Sequence, residues 1–459
     1  MTQRAVLNRT RNAVVPAANL PAEMLAIIFE FACCSDDFEE KAHIDRKMMD
    51  EFYGRWIDVK QQPYKDTCAV MRRTIGKLWS NVTIPVNAEN TELQTEVLRR
   101  SLTRSGQHPL NVKLVELLVK DRNQDDEQYS AGISTAVIDV LATQAHRLHT
   151  IDAILPASWK PAFKRIAKCL PLLTRITLRS PKNSSAVGSM DFFSNAPRLR
   201  DVALVGYDTI PNTVPLEQLH NLKASCSDLL HCVETLRRAS QLCHCSLQVC
   251  VEAVSNLIPL THTKLRSLEL TIAHYTVYLA DFLDAVTLPA LQSLDMVLFN
   301  MDPLHSFLKR SGCALQALHL CGYMFWEENL IECLFLLPEL RDLHLYDSFR
   351  HPRSRPTQRL LDLMNPRKSA IQENECLVPN LETFFYRGEV TFTPHALVEF
   401  LEDRNLSKTP RVTKLSSVLM KIPHMVFEDT DALALQRLQN DGLRIAIVNS
   451  RGDRSWPLA

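Results

Sequence analysis

Along the middle of the chain a leucine leads two further apolar positions, over and over. The pattern Leu-x-x-apolar-x-apolar begins at Leu148, Leu173, Leu199, Leu219, Leu242, Leu265, Leu291, Leu315, Leu340 and Leu381, with successive spacings of 25, 26, 20, 23, 23, 26, 24, 25 and 41 residues. Such alternation predicts a short strand with one buried face. In five copies a proline stands two residues before the leading leucine, at Pro171, Pro197, Pro289, Pro338 and Pro379. A ring that cannot continue helical hydrogen bonding suits a turn that ends a helix and delivers the chain into a strand. Around these copies, residues 278–286, 303–310, 329–337 and 394–403 carry apolar side chains at helical spacing. Each unit therefore reads helix, turn, short strand.

Units of about 20 to 29 residues with this signature resemble leucine-rich repeats, whose strands and helices bury their apolar faces only against neighbouring units. The resemblance covers roughly residues 110–450. It implies an α/β fold in which an irregular solenoid of parallel strands, with helices on the convex side, follows an N-terminal helical domain. The asparagine that commonly follows the strand in such repeats is missing: Pro181, Tyr207, Ala273, Phe299 and Tyr323 stand there instead. The turn after each strand must then be satisfied differently, which predicts irregular curvature. The 41-residue step holds an insertion at 348–356, where Arg350, Arg353 and Arg355 alternate with Pro352 and Pro356, a composition that predicts a solvated loop. Residues 360–364 are expected to return the chain to the stack as a helix.

Residues 19–32 read as an apolar helix opened by Pro21, with too much of its circumference apolar for one buried face. These residues resemble the opening of an F-box: Leu20, Pro21, Glu23, Leu25, Ile28 and Phe29 match its Leu-Pro, its carboxylate and its apolar helix. Leu78-Trp79 looks like the Leu-Trp that closes the motif in fungal F-box proteins, and Arg104-Ser105-Gly106 with Pro109-Leu110 looks like the junction where such proteins enter their repeats. The chain departs from the family in the centre, where the nearest tryptophan to Trp79 is Trp56. Either residues 33–64 contain an insertion, or Cys68, Met71 and Ile75 form the intervening helix without its tryptophan. We accordingly divide the chain into a disordered tail (1–18), an F-box-like helical domain (19–85), a helical linker with a first repeat strand (86–147) and a leucine-rich-repeat domain (148–459).

The resemblance implies a substrate-recognition subunit of a Skp-cullin-F-box ubiquitin ligase. Leu20, Pro21, Leu25, Ile28, Phe29, Leu78 and Trp79 would contact the Skp-type adaptor, and the repeats would hold a protein substrate. A repeat scaffold without ligase association is the alternative. Strand alternation places Arg175, Thr177, Arg179, Glu269, Asp295, His319, Asp342, His344, Tyr346, Thr383, Phe385 and Arg387 on the outward face. Among them Arg175, Arg179, His344, Tyr346, Phe385 and Arg387 are the expected substrate contacts. Aromatic residues beside a guanidinium are enriched at interface hot spots, which points to the C-terminal copies.

Composition narrows the classes that remain. The 459 residues exceed the roughly 250 to 300 that one core can organise, so the chain is either multidomain or a repeat array. Lys plus Arg equals Asp plus Glu at 52 each, which leaves no basic field for nucleic acid or an anionic membrane. Arg4, Arg9 and Arg11 have no apolar face with them, so a tail is favoured over a presequence. With 11 glycines and no phosphate-loop, nucleophile-elbow or zinc-protease motif, an enzyme is not expected, nor is a cofactor. The 13 scattered cysteines suit reduced thiols in the cytoplasm or nucleus. Cys226, His231, Cys232, Cys243, His244, Cys245 and Cys250 form the densest set of metal-type residues. Cys245 belongs to the buried strand face and His244 to the opposite one, so the set reads as packing rather than a metal site.

Overall fold

The computed structural model describes residues 76–86, 91–116, 135–154 and, with short gaps, 159–456. The chain forms two compact units: one runs to Tyr207 and includes Pro211–Pro215, the other takes Asp208–Ile210 and everything from Leu216 onward. In the first, strands β1 (Asn81–Val86), β2 (Leu110–Glu116), β3 (Leu148–Ile154), β4 (Arg175–Arg179) and β5 (Asp201–Val205) pair in chain order, all parallel. Helices α1 (Thr91–Arg104), α2 (Ala136–Ala142) and α3 (Lys160–Ile166) lie between them in sequence.

The second unit repeats the scheme with β6 (Asn221–Cys226), β7 (His244–Val249), β9 (Ser267–Ile272), β11 (Ser293–Leu298), β12 (Ala317–Gly322), β13 (Asp342–Asp347), β14 (Thr383–Arg387), β15 (Ser417–Lys421) and β16 (Arg444–Val448), again parallel and in order. A last strand, β17 (Arg454–Trp456), runs antiparallel against β16. Two short strands, β8 (Leu260–Thr261) and β10 (Val286–Thr287), pair separately. The helices are α4 (Leu229–Arg238), α5 (Ala280–Ala285), α6 (Asp302–Ser311), α7 (Glu327–Phe335), α8 (Gln358–Met364), α9 (Pro366–Ile371), α10 (Pro394–Leu406) and α11 (Asp429–Asn440). The helices expected near 278–286, 303–310, 329–337, 360–364 and 394–403 are α5, α6, α7, α8 and α10.

All ten leading leucines are fully buried, each at 0% exposure. Neighbouring strands align like with like, so Leu318 faces Leu343 and Leu320 faces Leu345 across β12 and β13. Each such side chain contributes about 1.5–3 kcal/mol by leaving water, and the sum of these rungs is the core. The five prolines have one job. In each case the leading leucine donates its N–H to the carbonyl of the residue before the proline: Leu173 to Leu170 (3.3 Å), Leu199 to Ala196 (3.1 Å), Leu291 to Leu288 (3.2 Å), Leu340 to Leu337 (3.1 Å) and Leu381 to Val378 (3.1 Å). Proline is thus the second residue of a β-turn, where its fixed φ is already correct and its missing N–H is not needed.

Strand starts are tied to one another. The first and second residues after the leading leucine both donate to one carbonyl of the preceding repeat: Gln292 and Ser293 to Arg266, Gln316 and Ala317 to Gln292, Arg341 and Asp342 to Gln316, Glu382 and Thr383 to Arg341. This backbone ladder sits before the strand, whereas an asparagine ladder would sit after it. Three arginines, Arg147 and Arg404 buried and Arg310 exposed, do similar work with side chains. Arg147 donates to the carbonyls of Leu102 (2.9 Å), His108 (3.2 Å) and Gly106, and to Ser105 Oγ (3.0 Å). Arg310 donates to the carbonyls of Val286 (3.0 Å) and Leu283. Arg404 reaches the carbonyls of Met364 (2.9 Å), Val378 (2.8 Å), Pro379 (3.1 Å) and Leu381 (3.4 Å). Each arginine therefore fills the helix-to-strand turn of the repeat before its own, where carbonyls leaving a helix lack intrahelical partners.

The division between the two compact units falls at residues 207–216. One sequence expectation needs correction. Residues 81–85, assigned to the helical N-terminal domain, are strand and pair with β2. The segment 86–147, expected as a helical linker with a repeat strand, holds α1, β2 and α2. Within the segment read as repeat domain, β15 and β16 follow β14, led by the buried Leu415 and Leu443. Among the described residues no helix is long and apolar enough to cross a membrane.

Candidate recognition face

On the strand face opposite the leucines of the second unit, the register sets Asp295, His319, His344 and Phe385 side by side across β11, β12, β13 and β14. Tyr346 and Arg387 are partners one step further along, and Asp342 pairs with Thr383 one step back. The imidazoles of His319 and His344 stack with centroids 4.1 Å apart and planes 12° from parallel. Phe385 leans on both His344 (5.2 Å) and Tyr346 (4.7 Å). An aromatic run therefore continues from the histidine pair to the edge where Arg387 stands exposed.

Carboxylates bracket the histidines. His319 Nδ1 lies 3.4 Å from Asp295 Oδ2, and its Nε2 lies 3.2 Å from Asp342 Oδ2. His344 Nε2 lies 3.1 Å from Asp342 Oδ1, which is shielded from solvent and has no well-aligned hydrogen-bond donor. The bonds to Asp295 and Asp342 raise the His319 pKa to about 9, so the ring is cationic at neutral pH. Burial alone would raise the pKa of Asp342, but its interactions with His319 and His344 outweigh that and hold it well below the usual carboxylate range.

Of the substrate contacts expected from sequence, the structure brings His344, Tyr346, Phe385 and Arg387 together. Phe385 differs from expectation in its exposure: it occupies the outward face but is 8% exposed, because the flanking rings cover it. Arg175 and Arg179 belong to the first unit and are engaged within it, Arg175 with Asp201 (2.9 Å) and Arg179 with Asp152. Of the expected adaptor contacts, Leu20, Pro21, Leu25, Ile28 and Phe29 lie outside the described residues. Leu78 and Trp79 form part of a short helical turn, Gly76–Trp79, and the Arg104 guanidinium sits 4.4 Å over the Trp79 ring. Asp295, His319 and Asp342 were legible as outward residues but not as a cluster. The signal was their repeat position: Asp295, His319, His344 and Phe385 each stand four residues after a leading leucine.

The cysteine-rich stretch packs as strand alternation predicts. Cys226, Cys232 and Cys245 are buried, whereas His244 is exposed. A hydrogen bond with Cys226 and burial push the Cys232 thiol well up, so it stays protonated.

These features define a mixed α/β protein built from repeat-like parallel strands and intervening helices, with an aromatic and charged row on one strand face. No protein-family model matches the chain, and no curated protein matches it. Among solved structures it is similar to a Bacteroides fragilis protein determined by a structural genomics consortium, at 14% identity, covering 67% of this chain and 76% of that one, with a TM-score of 0.29. At that score the likeness defines neither fold nor function.

Proposed function

We propose that this protein is a substrate-recognition subunit of a Skp-cullin-F-box ubiquitin ligase: residues 19–85 dock the Skp-type adaptor and the repeats hold a protein substrate. The observation that carries the substrate half is the continuous row from Asp295 through His319 and His344 to Phe385, edged by Tyr346 and Arg387. Rigid rings next to an exposed guanidinium are the composition of an interface centre, and parallel strands hold them without loop entropy to lose on binding. Arg175 and Arg179, already paired with carboxylates, serve as secondary polar contacts in this reading. The adaptor half rests on Leu20, Pro21, Leu25, Ile28, Phe29, Leu78 and Trp79. The protein needs no catalytic side chain, because tethering a substrate near a charged ubiquitin carrier raises its effective concentration.

Two variants separate the halves. Ile28→Asp should abolish co-purification with the adaptor while leaving substrate capture intact, since it places an unpaired charge in an apolar contact. Tyr346→Ala with Arg387→Ala should do the reverse. If the wild-type chain never co-purifies with the adaptor yet still captures a partner through Tyr346 and Arg387, the protein is a repeat scaffold without a ligase role.

A further inference from the structure

We propose that His319, His344 and Asp342 form a binding site for one divalent transition-metal ion of the zinc class, open to solvent on the outward side. The inference goes beyond the recognition reading and does not depend on it.

The geometry begins with the donors. One ligand atom from each residue can be chosen so that all lie within 4.8 Å of one another. Each imidazole already stands beside its own oxygen of the Asp342 carboxylate, His319 Nε2 at 3.2 Å from Oδ2 and His344 Nε2 at 3.1 Å from Oδ1. The three side chains project from adjacent parallel strands, β12 and β13, so their bases are fixed by the register rather than by a loop. They are 27%, 25% and 34% exposed, which leaves an approach for the ion and a place for water as a further ligand.

Two details point to a cation rather than to an ordinary ion pair. Asp295 Oδ2 contacts Nδ1 of His319, the nitrogen remote from Asp342. That is the carboxylate–histidine–metal arrangement, in which the outer carboxylate keeps the proton on one ring nitrogen while the ion displaces the proton from the other, which is released on binding. Asp342 Oδ1 is shielded from solvent and beside an imidazole nitrogen, yet has no aligned donor. Because the imidazoles are stacked 4.1 Å apart, ligation turns one ring out of the stack about its side-chain torsion, so that both Nε2 lone pairs and Asp342 meet at one point on the open edge. Two imidazoles and one carboxylate favour zinc, nickel or copper over magnesium or calcium, which prefer shells of oxygen.

The test is calorimetric titration of the full-length, metal-free chain with Zn²⁺, repeated with Mg²⁺. The expected result is one Zn²⁺ per chain and no response to Mg²⁺. His344→Gln should weaken Zn²⁺ binding by at least about tenfold, and Asp295→Asn should weaken it by roughly ten- to a hundredfold. With Co²⁺ as probe, visible ligand-field bands should arise without a thiolate charge-transfer band. Failure of Zn²⁺ to bind overturns the site, as does unchanged affinity in folded His344→Gln. A thiolate band would overturn it too, by placing the ion on the cysteines. Should His344→Gln not fold, the imidazole proton resonances of the wild-type chain decide: those of His319 and His344 must shift on adding Zn²⁺, and their invariance refutes the site.

Discussion

Replacing Arg404 with methionine should be among the most destabilising single changes in the second unit. The side chain is 1% exposed and its guanidinium donates to four carbonyls, those of Met364, Val378, Pro379 and Leu381. Burial holds its pKa down to about 10, so it remains charged at neutral pH. Methionine keeps the apolar stem and removes every donor. A hydrogen bond to a charged group contributes about 1.5–3 kcal/mol, but the four share one charge whose burial opposes them, so the net cost is about 3–5 kcal/mol. Val378 adds to this. It is the one described non-glycine residue with positive φ, at 44°, a conformation a β-branched side chain resists and the Arg404 bond to its carbonyl helps to hold. Arg404→Lys should recover less than half of the loss, since one compact ammonium has three donors and no planar fork. The assay is urea unfolding together with amide hydrogen exchange. Protection should fall first in residues 358–387, the elements that Arg404 ties together. Wild-type exchange there, with stability within about 1 kcal/mol of the parent, would refute the clamp.

Three further predictions are direct. The His319 pKa is raised from 6.5 to about 9, so its stabilising contribution is complete below pH 6.5 and disappears as pH rises through 9. Allowing for its partial exposure, denaturation midpoints should reveal a loss on the order of 1–2 kcal/mol across that interval, and His319→Gln should flatten the profile. Leu318→Ala, which empties a fully buried rung, should cost about 2–5 kcal/mol by chemical denaturation. Pro289→Ala should cost only about 0.4–1 kcal/mol, because the turn's hydrogen bond survives and only the unfolded chain gains freedom.

How much of this was legible in the sequence depends on which atoms carry the information. The leucine rungs were readable because burial leaves a period in side-chain identity, and the prolines because a fixed φ suits one position in a turn. At Leu443 the buried strand residues, Ile445 and Ile447, come two and four positions after the leucine rather than three and five, so the period does not mark them. Leu415 fits the pattern through Val418 and Met420. The arginine clamps were invisible for another reason: their acceptors are backbone carbonyls, present at every residue, and only folding aims them at one guanidinium. The histidine and aspartate cluster lay between these cases. Its members share a repeat position, so lateral adjacency followed from period and register, but the covering of Phe385 and the bracketing of His319 depend on rotamers that no period records.

The 41-residue step from Leu340 to Leu381 has a consequence for how such a chain can diversify. β13 and β14 keep the same alignment as pairs separated by far shorter steps, with Leu343 opposite Phe384 and Leu345 opposite Tyr386. Lengthening a step from 24 to 41 residues adds only about 0.5 kcal/mol of closure entropy. Lateral order on the sheet is therefore insulated from the length of what connects it. New segments can be spliced between helix and strand, and the outward row beyond them retains its neighbours.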